Sequence, residues 1–164
     1  MEDKAKAASF GELILEIFRV NGRLLASGDR LVAGLNLTSA RWQILGAVAR
    51  APGGETVSGV ARAIGLQRQG VQRIVNELVR ENLLALSPNP HHRRASLVSL
   101  TNEGRARYEA AMRLREPWAR ELASTISDER VATAASVLVE IRGRLEASLN
   151  EAKARIVDDG EDVA

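Results

Sequence analysis

The stretch VSGVARAIGLQRQGVQRIVN, residues 57–76, restricts the fold of this chain more than any other part of the sequence. Two short helices, at about 57–64 and 67–82, are predicted on either side of Gly65, which can adopt the left-handed backbone conformation that a tight turn needs. Ala61 is small where the two helices must cross. Apolar side chains close a small core between the helices: Val57, Val60, Ile64, Leu66, Val71 and Ile74. This pattern predicts a helix-turn-helix.

The second helix of the pair leaves a row of polar side chains facing outward: Gln67, Arg68, Gln69, Gln72, Arg73 and Asn76. In the major groove of DNA, Arg can form two hydrogen bonds with guanine, and Gln or Asn can do the same with adenine. No acidic residue interrupts this row before Glu77. A plain helical hairpin with a polar outer face produces a similar pattern, and the sequence leaves both interpretations open.

A β-hairpin is predicted directly after this helix. Its strands are Leu83 to Ser87 and Ala95 to Leu100, and the tip between them contains the sequence PNPHHRR. A hairpin in this place can reach the neighbouring minor groove or the DNA backbone. Arg93 and Arg94 suit a narrow, electronegative minor groove. The alternative is an arginine-rich surface loop with no role in DNA binding.

Further helices are predicted on both sides of these elements. Residues 8–34 carry apolar side chains three and four positions apart, and Gly34 is expected to end that helix. Thr38 caps the next helix and Thr101 caps a long one, which Pro117 is expected to kink or break. Ser127 caps the last helix. The predicted fold class is therefore mainly α (α+β), a winged helix-turn-helix with N- and C-terminal dimerisation helices.

Both ends of the chain carry apolar stripes that are too extensive for a small winged domain to cover. They include Phe10, Leu13, Ile14, Phe18 and Leu25 at one end and Val131, Leu138, Ile141, Leu145 and Leu149 at the other. We therefore expect residues 8–37 and 119–156 to be dimerisation helices. Residues 38–118 are expected to form the DNA-binding domain with its long connecting helix, and the acidic residues 157–164 to form a disordered tail.

The distribution of charge also indicates an acidic partner. The chain of 164 residues has a formal net charge of +2, but residues 157–164 contain four acids and no base. From Arg41 to Arg113 there are eleven arginines and five acids, and both histidines also lie in this segment. A basic middle segment is typical of proteins that bind nucleic acid. An ordinary solvated surface is the alternative interpretation of the charge alone.

Several other classes of function find no support in the sequence. Cysteine is absent, and the adjacent His91 and His92 do not make a complete metal site. Gly53 and Gly54 lack the Lys-Ser or Lys-Thr of a phosphate-binding loop, and nothing marks a buried acid–base pair. We therefore expect no enzyme activity, no metal and no cofactor. With no apolar run long enough to span a bilayer and no secretory signal, a soluble cytoplasmic protein is expected.

The run LNLTSARWQIL…VARAIGLQRQGVQRIVNELVRENLLALSPNPHHRRASLVSLTNEGR resembles the multiple antibiotic resistance regulator (MarR) family over roughly residues 10–150. The resemblance implies a homodimeric winged-helix transcription regulator whose first, fifth and sixth helices form the dimer interface. It also implies a small ligand, commonly a phenolic or aromatic acid, that binds between the dimerisation and DNA-binding parts and releases the DNA. Arg94 matches the wing arginine that enters the minor groove in this family. His92 stands where the family usually has Asp, and Gln67, Gln69 and Gly70 stand where its recognition helix usually opens with Ser or Thr.

The favoured function is that of a dimeric, sequence-specific transcription regulator, expected to be a repressor that binds a palindromic double-stranded operator and is released by a small ligand. The alternative is a winged-helix module for protein–protein contacts, with the acidic tail as a docking segment. Strongly salt-dependent DNA binding distinguishes these two functions.

Overall fold

The computed structural model describes residues 2–92 and 94–161, with side chains for residues 3–92 and 94–151. The elements in chain order are α1 Glu2–Val32, a 3-10 turn Ala33–Leu35, α2 Ser39–Ala49, β1 Glu55–Thr56, α3 Val57–Ile64, α4 Arg68–Arg80, β2 Leu84–Ser87, β3 Leu97–Leu100, α5 Asn102–Ala123 and α6 Asp128–Glu161. The fold is mainly helical with one small antiparallel sheet, and it confirms the predicted winged helix-turn-helix.

The chain divides into two compact units, of which the first runs through Pro117 and the second begins at Trp118. The core of the first unit is formed by apolar side chains from α2, α3, α4 and the sheet, joined by the end of α1 and by α5. Its largest fully buried members are Val32, Ile44, Leu45, Val60, Val71, Val75, Leu78, Leu83, Leu84 and Val98. The end of the predicted N-terminal dimerisation segment, including Val32 and Leu37, therefore packs inside the winged unit.

The sheet has the strand order β1-β3-β2, and both pairings are antiparallel. Leu84 pairs with Leu100 and Ser87 pairs with Leu97, so the predicted hairpin is present with somewhat shorter strands. The sequence did not predict β1, which pairs Glu55 with Val98. A strand of two residues has no periodicity of its own, and it exists because β3 supplies its hydrogen-bonding partner.

The segment between α1 and α2, residues 33–38, differs from the prediction and is called the corner below. The predicted first helix over 8–34 instead extends from Glu2 to Val32 and is followed by the 3-10 turn. Gly34, which was expected to end the helix, lies within this turn, and Asn36, with φ of 55°, takes the left-handed conformation that ends it. Asn tolerates this conformation better than most residues with a side chain, which explains why it can end the turn here. Thr38 caps α2 as predicted, since its hydroxyl accepts a hydrogen bond from the amide of Arg41.

The C-terminal helices are longer than the sequence indicated. Pro117 does not break α5, which continues to Ala123, although the boundary between the two units falls at this residue. In α6, the hydroxyl of Ser127 accepts the amide of Arg130, which agrees with the predicted cap. α6 extends to Glu161, so it includes the first residues of the segment 157–164 that was predicted to form a disordered tail. Helix growth is cooperative, and no proline interrupts this end of the helix. Residues 162–164 lie outside the described residues.

Both terminal helices present apolar side chains to solvent in the single chain. On α1 these include Phe10, Leu13, Ile14 and Phe18. On α6 they include Val131, Leu138, Leu145 and Leu149. Within the described residues, no helix is both long and apolar enough to cross a membrane.

Candidate nucleic-acid interface

The turn between α3 and α4 is built by local interactions. Thr56 caps α3, because its hydroxyl oxygen accepts the amide of Gly59 at 3.0 Å. The helix ends at Gly65, whose φ of 69° is the left-handed value predicted from the sequence. The amide of Leu66 then bonds the carbonyl of Ala61 at 3.0 Å, which closes the turn. Ala61 is buried, so the two helices cross closely, as the predicted helix-turn-helix requires.

Burial fixes which face of α4 is exposed. Val71, Val75 and Leu78 are fully buried and lie four and three residues apart, so they form one side of the helix. The opposite side projects away from the core. Five of the six predicted contact residues on this segment are exposed: Gln67, Arg68, Gln69, Arg73 and Asn76. Gln72 is half-buried and lies at the edge of this face.

The polar side chains of α4 are partly paired with one another. The amide nitrogen of Gln72 donates to Oδ1 of Asn76 at 2.9 Å, and Nη1 of Arg73 donates to Oε1 of Glu77 at 3.0 Å. The side chain of Arg73 is 72% exposed, and an ion pair at such a site contributes little free energy. Both pairs can therefore exchange for contacts with a ligand at small cost.

Arg80 is a candidate contact that the sequence analysis did not include. It is exposed and follows Arg73 by seven residues and Asn76 by four, which places it on the same face of α4. This spacing was visible in the sequence. Arg80 follows Glu77, the acidic residue that interrupts the row of polar side chains after Asn76.

The loop between β2 and β3 carries the predicted wing arginines. The amide of His91 bonds Oδ1 of Asn89 at 2.9 Å, and the amide of Ala95 bonds the carbonyl of His92 at 3.0 Å, so the loop consists of tight turns. Arg94 is exposed in this loop. Arg93 lies outside the described residues. The exposed Arg94 and the exposed face of α4 both belong to the first unit, and the hairpin that carries Arg94 directly follows α4.

The end of α4 is held by contacts that the sequence did not reveal. Asn82 has a φ of 56°, and the amide of Leu83 bonds the carbonyl of Leu78 at 2.8 Å, which terminates the helix. The hydroxyl of Thr101 donates to the carbonyl of Asn82 at 2.7 Å and accepts the amide of Gly104 at 2.9 Å. Thr101 therefore caps α5 and fastens it to the end of α4.

Part of the chain that contains this site is similar to known proteins. Residues 34–95, which include α2 to α4 and most of the wing, match the model of the MarR family. An uncharacterised protein of Mycobacterium tuberculosis is 44% identical over 94 residues, covering 57% of this chain and 64% of that protein. The transcriptional activatory protein BadR of Rhodopseudomonas palustris is 29% identical over 107 residues, covering 64% of this chain and 61% of BadR. These alignments span less than two thirds of either relative.

Solved structures share the fold over most of the chain. A mutant of MarR from E. coli, in complex with operator DNA, is 24% identical with a TM-score of 0.66, covering 78% of this chain and 94% of that one. CouR from Rhodococcus jostii RHA1, bound to p-coumaroyl-CoA, is 23% identical with a TM-score of 0.72, covering 79% of this chain and 90% of that one. The chain therefore shares the winged-helix fold of these structures.

Proposed function

We propose that this chain is a dimeric, sequence-specific DNA-binding transcription regulator of the MarR family, whose model matches residues 34–95, and that α4 is its recognition helix. The observation that carries the proposal is the exposed face of α4. Guanidinium and amide groups project from this face on successive turns, and three buried residues hold the opposite side against the core. These are the side chains that read the edges of guanine and adenine in the major groove.

The wing supplies a second contact in this proposal. Arg94 is exposed on the loop between β2 and β3, where it can enter the minor groove beside the site of α4. The basic balance between Arg41 and Arg113 supports a negatively charged partner. Arg93 precedes Arg94 in the sequence and is proposed to bind the same minor groove.

The exposed apolar side chains of α1 and α6 support a homodimer. In a monomer, Phe18 would keep 68% of its surface in water, and α6 would leave Leu145 and Leu149 exposed as well. Exposed apolar patches of this extent mark association surfaces. A twofold symmetric dimer presents two copies of α4, which would read a palindromic operator with half-sites about one helical turn, roughly 34 Å, apart.

The regulator is proposed to be a repressor that a small aromatic or phenolic ligand releases from DNA. CouR carries p-coumaroyl-CoA in its crystal structure, which supports a ligand of that class, whereas BadR is named an activator. The site of action is the cytoplasm, because the proposed partner is the chromosome. Transcription of the bound promoter in the presence and absence of the protein distinguishes repression from activation.

The experiment that tests the proposal is selection of bound fragments from the source genome, followed by measurement of affinity against salt concentration. A specific regulator enriches a small set of fragments that share an inverted repeat. Its binding constant falls steeply as salt rises, because counterions are released from the phosphates. No enrichment, together with no salt-dependent binding to any duplex, would refute the function and favour a winged-helix module for protein contacts.

A further inference from the structure

One side chain joins the corner to the end of the recognition helix. Arg41, in the first turn of α2, forms an ion pair through Nη2 with Oε2 of Glu81, the residue that follows α4. Nη1 of the same guanidinium donates to the carbonyl of Asn36 in the corner at 3.2 Å. Arg41 and Glu81 are 40 positions apart in the sequence. A single planar group therefore connects the end of α4 to the segment that links α1 to α2.

A second arginine binds the corner without contacting the recognition helix. Nη1 of Arg107, on α5, donates to the carbonyl of Leu35 at 2.8 Å, and its Nη2 pairs with Glu103 of the same helix at 2.6 Å. Arg41 and Arg107 thus bind successive carbonyls of the corner. They differ in their carboxylate partner, since only Arg41 pairs with a residue at the end of α4.

The energetics of Arg41 indicate a role other than stability. Its side chain is 14% exposed, against 41% for Glu81, and its Nε is buried without a hydrogen-bond partner among the described residues. An ion pair between a largely buried guanidinium and an exposed carboxylate gains little net stability, because solvent screens the attraction and the desolvation of the guanidinium offsets part of it. Its directional hydrogen bonds nevertheless hold their partners in one geometry.

The geometry of α4 makes the position of its C-terminal end important for DNA reading. The helix has 13 residues, so it is roughly 20 Å long at about 1.5 Å per residue. The predicted base contacts begin at its N-terminal end, whereas Arg41 holds the other end. A tilt of about 3° about one end moves the other end of such a helix by about 1 Å. Hydrogen bonds to base edges require close alignment, while attraction to phosphates tolerates displacement.

We propose that Arg41 is a positioning residue for DNA recognition, which sets the orientation of α4 by joining Asn36 to Glu81 and so determines discrimination between operator and other DNA. This inference rests on the proposed function, since it concerns the same recognition helix. Arg41 contacts no DNA in this account and acts only through α4.

The test uses the full-length protein and three variants. Arg41→Met removes the guanidinium but keeps a long apolar side chain, and Glu81→Gln removes the charge of the partner at an exposed position. Arg107→Met is the matched control, because it removes a hydrogen bond to the neighbouring corner carbonyl and leaves both Arg41 contacts in place. For each protein, Kd is measured for the selected operator and for an unrelated duplex at one salt concentration, and thermal unfolding is followed in parallel.

We expect Arg41→Met to reduce the ratio of specific to non-specific affinity by about tenfold or more. A single mismatched base pair in an operator typically has an effect of this size. In both Arg41→Met and Glu81→Gln, the affinity for the unrelated duplex is expected to change less than about twofold, because neither change removes a phosphate contact. Glu81→Gln is expected to reduce the ratio of specific to non-specific affinity as Arg41→Met does. Arg107→Met should keep the wild-type ratio. If Arg41→Met does not fold, the result for Glu81→Gln decides.

Three outcomes would overturn the proposal. An unchanged ratio in Arg41→Met and Glu81→Gln, with the wild type discriminating normally, removes the role of Arg41 and leaves the proposed function intact. If Arg41→Met weakens binding to the operator and to the unrelated duplex equally, Arg41 contacts a phosphate and does not position α4. A wild-type protein that binds no DNA specifically removes the proposed function and this inference together.

Discussion

Gly104 and Leu83 lie so close that position 104 has no room for a side chain. A Cβ atom built on Gly104 would overlap the carbonyl oxygen of Leu83 and lie 2.8 Å from its carbonyl carbon. The same carbonyl oxygen accepts the amide of Thr101 at 3.2 Å. The first turn of α5 therefore rests directly on the backbone that follows α4.

Gly104→Ala is expected to destabilise the protein by on the order of 1–3 kcal/mol, because the added methyl group meets backbone that cannot rotate away. Chemical denaturation measures the loss. Gly70→Ala is the control: it adds the same methyl group to α4, where nothing lies within 4 Å, and should leave stability unchanged or slightly higher. Equal stability of the Gly104→Ala variant and the wild type would contradict the packing described.

Asp29→Ala is expected to destabilise the first unit by about 0.5–2 kcal/mol, because a carboxylate that caps a helix is lost. Oδ1 of Asp29, on α1, accepts the amide of Ser39 in the first turn of α2 at 2.6 Å. Asp29→Asn should retain most of the stability, since its carbonyl oxygen can accept the same bond. Thermal unfolding of the three proteins checks this order, and an Asn variant as unstable as the Ala variant would refute the capping role.

Arg68→Ala is expected to cost specificity, on the order of 1–3 kcal/mol if the guanidinium pairs with guanine. The measurement is Kd for the operator and for operators with single base changes. Arg144→Ala, which removes an exposed arginine of α6, is the control and should bind as the wild type does. Identical base preferences in the Arg68→Ala variant and the wild type would remove this residue from the reading face.

Arg94→Ala is expected to lower affinity with less loss of base choice, because the minor groove distinguishes mainly A·T from G·C. Affinity is measured on the operator and on variants changed only at the positions flanking the half-sites. An unaltered Kd on every duplex would exclude Arg94 as a wing contact.

Phe18→Glu is expected to convert a dimer into a monomer, since it places a charge in the exposed apolar face of α1. Light scattering at micromolar concentration measures the mass. Arg19→Gln changes a neighbouring polar residue of the same helix and should leave the dimer intact. A monomeric wild-type protein would refute dimerisation through the terminal helices.

The helix-turn-helix could be predicted because its determinants are close in the sequence. Gly65, Ala61 and the apolar residues of α3 and α4 all lie within the stretch from 57 to 76, and they impose the same turn that the structure contains. The exposed side of α4 followed from the same periodicity, as did the caps at Thr38 and Ser127. Local backbone preference and helical spacing were sufficient for these features.

The sequence by itself determined the class of fold and most of the outward-facing residues of α4, because these depend on interactions within one or two helical turns. Only the tertiary structure decided that Asn36 ends the corner, that β1 joins β3, that Gly104 must lack a side chain and that Arg41 pairs with Glu81. Each of these features depends on a contact between segments distant in the chain. The partner in such a contact is chosen by packing in three dimensions, and no local pattern encodes it.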